Sequence, residues 1–222
     1  MIRPLLSVSL LALALGLAAP AQLPKHDSGT LVIAQHGTRL GQEHFQLRNR
    51  GAGGRLQVQL QYRVGGGRIK QRAELQWFAG GRLRAYAWRQ GADRITVRFA
   101  SKRLRARYQP AHGQAQTFLF QLPPTTAILD ANVYSLWEPL ADRYNWSKGG
   151  TQTFSVFVPH TGDPGQVRLT EIPVGGHGPG RQQGEEQQLR AETSQATVYL
   201  LLQRGRLLRL TMPAAGLVVT RQ

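Results

Sequence analysis

Between residues 55 and 108 the chain alternates apolar and polar side chains almost without a break, and this period of two limits its fold more than any other feature. Leu56, Val58, Leu60, Tyr62 and Val64 alternate with Arg55, Gln57, Gln59, Gln61 and Arg63, the pattern of a strand with one dry and one wet face. Gly65-Gly66-Gly67 supplies a turn, because glycine takes positive φ at no steric cost. Ile69, Ala73, Leu75 and Trp77 line the next strand against Arg68, Lys70, Arg72, Glu74 and Gln76; turns follow at Ala79-Gly80-Gly81 and Gln90-Gly91-Ala92-Asp93. Ile95, Val97 and Phe99 then oppose Arg94, Thr96 and Arg98, and Leu104, Ala106 and Tyr108 oppose Arg103, Arg105 and Arg107. Glycine-containing turns at about 8–12-residue spacing predict an antiparallel meander. It opens with hairpin runs at 30–35 and 42–47 and continues to a strand at 117–122. In 82–89 neither face is cleanly polar, since Leu83, Ala85 and Ala87 alternate with Arg84, Tyr86 and Trp88. Such a strand is covered on both sides or lines a cavity.

One stretch changes period. Leu129, Val133, Leu136, Leu140 and Tyr144, with Ile128 and Trp137 alongside, predict an amphipathic helix over 126–144. Thr125 or Thr126 can cap it, Asp130 sits near its positive end, and Pro139 imposes a kink or a break into two pieces. Strand character returns at 154–158, 167–171, 189–191, 198–202, 207–212 and 217–220; 173–184, with five Gly and two Pro, is a loop. The expected fold is therefore mainly β: a single curved antiparallel sheet or open half-barrel of about eleven or twelve strands, with one mid-chain helix packed on its concave face. A two-sheet sandwich is the alternative.

The first residues form an address. A basic start at Arg3, the apolar run 5–19 and the small residues of Ala19-Pro20-Ala21 mark a signal peptide over 1–21, cleaved before Gln22. An uncleaved anchor is the other possibility at this point, and 22–222 follows as one β-rich domain. No apolar run reaches the roughly 20 residues of a membrane-spanning helix. The sequence has no Cys, which excludes disulfides, thiolate metal sites, a cysteine nucleophile and lipoprotein acylation. A Cys-free exported chain suits a bacterial envelope, periplasmic or extracellular.

Charge is unevenly spread. Residues 23–107 carry 18 basic and 4 acidic side chains, net +14, whereas 108–222 carry 9 and 8, net +1. Alternation collects Arg68, Lys70 and Arg72 on one face of their strand and Arg103, Arg105 and Arg107 on one face of theirs, with Arg55, Arg63 and Arg98 expected to join them. Facing cations repel, so this surface points to an anionic partner such as lipid phosphate or an acidic envelope polymer. A solvated face enriched in Arg by codon usage would look the same. Nucleic acid is a poor partner for an exported chain, and the face has no interleaved aromatics for base stacking.

The segments Leu129-Asp130-Ala131-Asn132, Phe154-Ser155-Val156-Phe157-Val158-Pro159 and Arg204-Gly205-Arg206-Leu207-Leu208-Arg209-Leu210, with Met212-Pro213, fall in an order that resembles uncharacterised secreted bacterial β-rich families. More distantly the chain is similar to the curved half-barrels that carry lipoproteins or lipids across the periplasm. That resemblance implies a half-barrel that holds an apolar cargo, and it transfers no functional residue.

No hydrolase, P-loop or zinc-protease motif occurs, and no catalytic residue, metal ligand set or cofactor is assigned. His36 and His44 flank one predicted hairpin and could approach across it as a two-His site, although metal sites usually need more ligands. Asp130 with Glu138 or Asp142 could form a carboxylate pair; capping and solvation account for them equally simply. Trp77, Tyr86, Trp88, Trp137 and Tyr144 are the candidate lining of an apolar pocket or, alternatively, ordinary core. The expected function is non-enzymatic binding of a lipid-like amphipathic anion in the curved sheet. The competing expectations are an assembly factor docking through the basic face, and a hydrolase without a recognisable motif.

Overall fold

The computed structural model describes residues 26–50, 52–100, 103–173 and 186–222, apart from the side chains of Arg50 and Val64. The segment 1–21, expected to be a signal peptide, and residues 174–184 of the glycine-rich loop, His177 included, lie outside the described residues. The first meander runs β1 (His26–Gln35), β2 (Thr38–Arg50), β3 (Gly53–Val64), β4 (Gly67–Phe78), β5 (Leu83–Gln90), β6 (Asp93–Ala100), β7 (Arg103–Gln109) and β8 (Gln116–Phe120). After β9 (Ala127–Ile128) and the helix α1 (Trp137–Ala141), a second meander runs β10 (Thr151–Val158), β11 (Asp163–Ile172), β12 (Glu186–Glu192), β13 (Thr197–Gln203), β14 (Arg206–Met212) and β15 (Leu217–Arg221).

β15 pairs with β1, Leu31 opposite Arg221, so both meanders join one 15-stranded sheet ordered β8-β7-β6-β5-β4-β3-β2-β1-β15-β14-β13-β12-β11-β10-β9. All neighbours are antiparallel except β9 and β10. Among the described residues fifteen strands replace the eleven or twelve expected. Every run with strand character, the ambiguous 82–89 segment included, forms its own strand, and β9 forms inside the stretch expected to be helical.

The ambiguity at β5 resolves through a β-bulge. Gln76 faces Ala85 and Trp77 faces Leu83, leaving Arg84 unpaired as the extra residue. Leu83, Tyr86 and Trp88 thereby all turn inward, and Arg84, Ala87 and Arg89 are exposed.

Curvature follows from connectivity. The two edge strands, β8 and β9, are consecutive in sequence. Laid flat, strands about 4.8 Å apart would separate these edges by about 67 Å. Only six residues, 121–126, join them, and such a link spans at most about 25 Å. The sheet must curl until its edges approach. Phe120 of β8 meets Phe157 of β10 with ring centroids 5.0 Å apart, yet no ladder joins β8 to β9, and the sheet stays open.

The concave side is filled by the segment between the edges. Ile128, Leu129, Val133, Leu136, Trp137, Leu140 and Tyr144 are all buried with the inward rows of both meanders. Burial of the stripe agrees with the sequence; a helix along its whole length does not. Helical structure is confined to a 3-10 turn at Tyr134–Leu136 running into α1, preceded by Asn132 at φ 63°. Pro139 falls in the first turn of α1, where a missing N–H needs no partner, and α1 runs through it unbroken. Among the described residues no helix is long and apolar enough to cross a membrane.

Candidate functional site

The outer face of β3–β8 carries the predicted cations. Arg68, Lys70, Arg72, Arg98, Arg103, Arg105 and Arg107 are all exposed, as are Arg55 and Arg63. Strand register determines which of them meet. Arg72 on β4 is directly opposite Arg89 on β5, which is directly opposite Arg94 on β6. Arg98 faces Arg105, and Arg63 faces Arg68. Like charges at such positions destabilise a sheet. Among the described residues the one ion pair on this face joins Arg55 to Glu74 at 2.6 Å. Partial burial acts to raise the Glu74 carboxyl, but the bonds from Arg55, Gln76 and Gln57 outweigh it and hold the group below its ordinary value. A surface concavity of about 300 Å³ at one end of this face is lined by Arg39, Gln42, Gln61, Arg63 and Arg68 among others.

The aromatic candidates sit inside. Tyr86, Trp88, Trp137 and Tyr144 are buried and Trp77 partly so. They are spread through the core. Trp77 lies across Gly54, where a Cβ would overlap the indole. Trp88 stacks edge-on against His160 at 4.3 Å, and the Tyr144 hydroxyl donates to Gly150 O at 2.6 Å. At the β8 edge the interior is less well covered, since Tyr108 and Phe118 share the inward phase of buried Leu104 and Ala106 and are exposed.

Polar anchors join the mid-chain segment to the sheet. Glu43 on β2 accepts the backbone N–H groups of Tyr134 (2.8 Å) and Ser135 (2.9 Å). Burial pushes Glu43 up to about 6 against those bonds. Glu138 of α1 accepts from Leu207 N–H at 3.0 Å and pairs with Arg221 at 3.3 Å, and Arg221 also grips Asp27. Burial, then the Asp27 carboxylate, push Glu138 up to about 8. Asp130 accepts from the Tyr86 hydroxyl and holds the Nδ1 of His160. The sequence-based account of Asp130 and Glu138 as solvated caps is thus corrected: both carboxylates are buried ties between cover and sheet.

Glu43 and His160 were not singled out in the sequence. Glu43 was visible as a charge in phase with Phe45 and Leu47; His160, in the β10–β11 turn, had no local signal. His36 and His44 go to separate partners: His36 packs over Gly216, and His44 lies between Thr30 and Gln42 at 2.9 Å from each. Among the described residues no group of three metal-ligating side chains is present. Comparison with family models, with curated proteins and with solved structures gave no match.

Proposed function

We propose that this is an exported, non-enzymatic envelope protein that docks on an anionic partner through the cationic outer face of β3–β8. The observation that carries the proposal is the row Arg72–Arg89–Arg94, three guanidinium groups on adjacent strands at directly opposed positions. A face built only for solvation would be more stable with acids or neutral residues there; an anion laid across the rows removes the repulsion. Replacing Arg103, Arg105 and Arg107 together by Gln tests it. The triple variant should elute from a phosphate-bearing matrix at clearly lower salt than the parent, because fewer cations remain to be screened, with an equal or higher melting temperature, because the repulsion between Arg98 and Arg105 is gone. Unchanged elution would remove the proposal.

A second reading is the lipid-like ligand held in the curve of the sheet, in keeping with the resemblance to periplasmic carriers. Its support is the β8 edge, where inward-phased Tyr108 and Phe118 are exposed. The concave side elsewhere is occupied by the chain's own segment 127–144, which favours docking on the outer face.

A further inference from the structure

The cationic face also carries apolar side chains that solvation does not explain. Four large apolar residues are exposed among the described residues: Phe78 (42%), Tyr108 (38%), Phe118 (46%) and Leu119 (59%). All four belong to β4–β8, the part of the sheet where the charge is concentrated, and none to the second meander.

Two of them face outward at the same end of the sheet. Phe78 follows Glu74 and Gln76 in the outward phase of β4. Leu119 pairs with Arg105, Arg105 with Arg98, Arg98 with Ala85 and Ala85 with Gln76, one continuous row across β8 to β4. That row is about 19 Å long at ordinary strand spacing. Phe78 and Leu119 therefore bracket a cationic strip of Arg84, Arg98, Arg103 and Arg105, in which the outward positions between cations include Ala85 and Ala100. The guanidinium groups of Arg82 and Arg84 stand 5.7 and 5.5 Å from the centre of the Phe78 ring.

A flexible polyanion would use the arginines and gain nothing from Phe78 or Leu119. A second copy of the chain would bring the same cations against one another. A bilayer uses both kinds of side chain, since apolar groups enter the headgroup boundary while arginines beside them meet phosphate. We infer that this end of the outer face seats the protein on an anionic, phosphate-bearing lipid bilayer, with Phe78 and Leu119 as apolar anchors. The inference rests on the outer face being the docking surface and names what it docks on.

The test uses the mature chain with two probes: vesicles of phosphatidylglycerol and phosphatidylcholine, and soluble polyphosphate. The double variant Phe78→Ser/Leu119→Ser should partition to vesicles about tenfold more weakly, from the loss of two partly inserted apolar side chains. Its affinity for polyphosphate should be unchanged, and because both residues are exposed its melting temperature should hold. Undiminished vesicle binding by this variant, or an equal loss on polyphosphate, would overturn the inference. If Arg103, Arg105 and Arg107 changed to Gln abolish binding to both probes in that case, docking on a polyanion stands without the bilayer. If that arginine variant binds both probes as the parent does, the docking face itself is refuted.

Discussion

Glu43 lies in the inward row Leu31–Glu43–Leu60, between two aliphatic side chains, and is fully buried. A carboxylate is tolerated there because both of its oxygens are used. They take the amides of Tyr134 and Ser135, which open a helical stretch and so have no intrahelical acceptor. Glu43→Ala leaves two buried N–H groups unpaired at about 1–3 kcal/mol each. The expected result is a fall in melting temperature of roughly 5–15 °C for a chain of this size, measured by circular dichroism; a shift under about 2 °C would mean that water satisfies the amides. The strand phase exposed this residue in the sequence, since 43, 45 and 47 fall on one face. What it binds was not legible, because its partners lie 91 and 92 residues further on. Asp130 is the converse case. Its position near an expected helix start suggested a cap, and only the curled sheet brings Tyr86 and His160 to it from 44 and 30 residues away.

At the scale of elements, strands were legible wherever alternation was strict, and failed where one residue broke phase. Arg84 shows why: a single unpaired residue shifts the phase of β5, so Leu83 and Tyr86 share a face although their spacing is odd. The covering segment reads as one long helix for a different reason. Its underside must be apolar to sit on the concave face whatever its backbone does. Spacings of three and four therefore arose at Leu129 and Val133, in irregular chain, as well as at Leu136 and Leu140 in the helical part. Two substitutions separate these effects. Leu136→Asp places a charge at a site 1% exposed and should prevent folding, seen as loss of soluble protein with a cooperative melt. Pro139→Ala should alter stability by less than about 1 kcal/mol, because the proline occupies the first turn of α1 and obstructs no intrahelical bond. A gain of several kcal/mol would show that Pro139 distorts the helix after all.

Over the whole molecule, cations crowd the outer face of the first meander, while Glu43, Asp130, Glu138 and Asp27 are buried inside, the last two against Arg221. The edge-to-edge link of six residues forces the curl that creates this inside, and the carboxylates fasten the chain's own segment within it. Their burial sets a pH dependence. Glu43 and Glu138 stand at about 6 and about 8, both above the ordinary 4.5 that they regain on unfolding. The folded protein therefore binds more protons than the unfolded chain between those values. Stability from these two groups is fully present below about pH 4.5 and declines as pH rises to about 8, at about 1.4 kcal/mol per pH unit for each proton. Glu43 contributes only up to about pH 6; from there to about 8 the slope belongs to Glu138, whose Oε2 has no hydrogen-bond partner. Arg221, Arg206 and Asp27 crowd the same junction, so the comparison that isolates Glu138 is between the parent and Glu138→Gln. Urea unfolding at pH 6, 7 and 8 should show the parent weakening relative to the variant by about 1 kcal/mol per pH unit, since other titrations cancel in the difference. Parallel curves would mean that Glu138 is ionised throughout this range and that Arg221 offsets the cost of burying it. The cover would then be fastened by an ion pair whose strength does not change between pH 6 and 8.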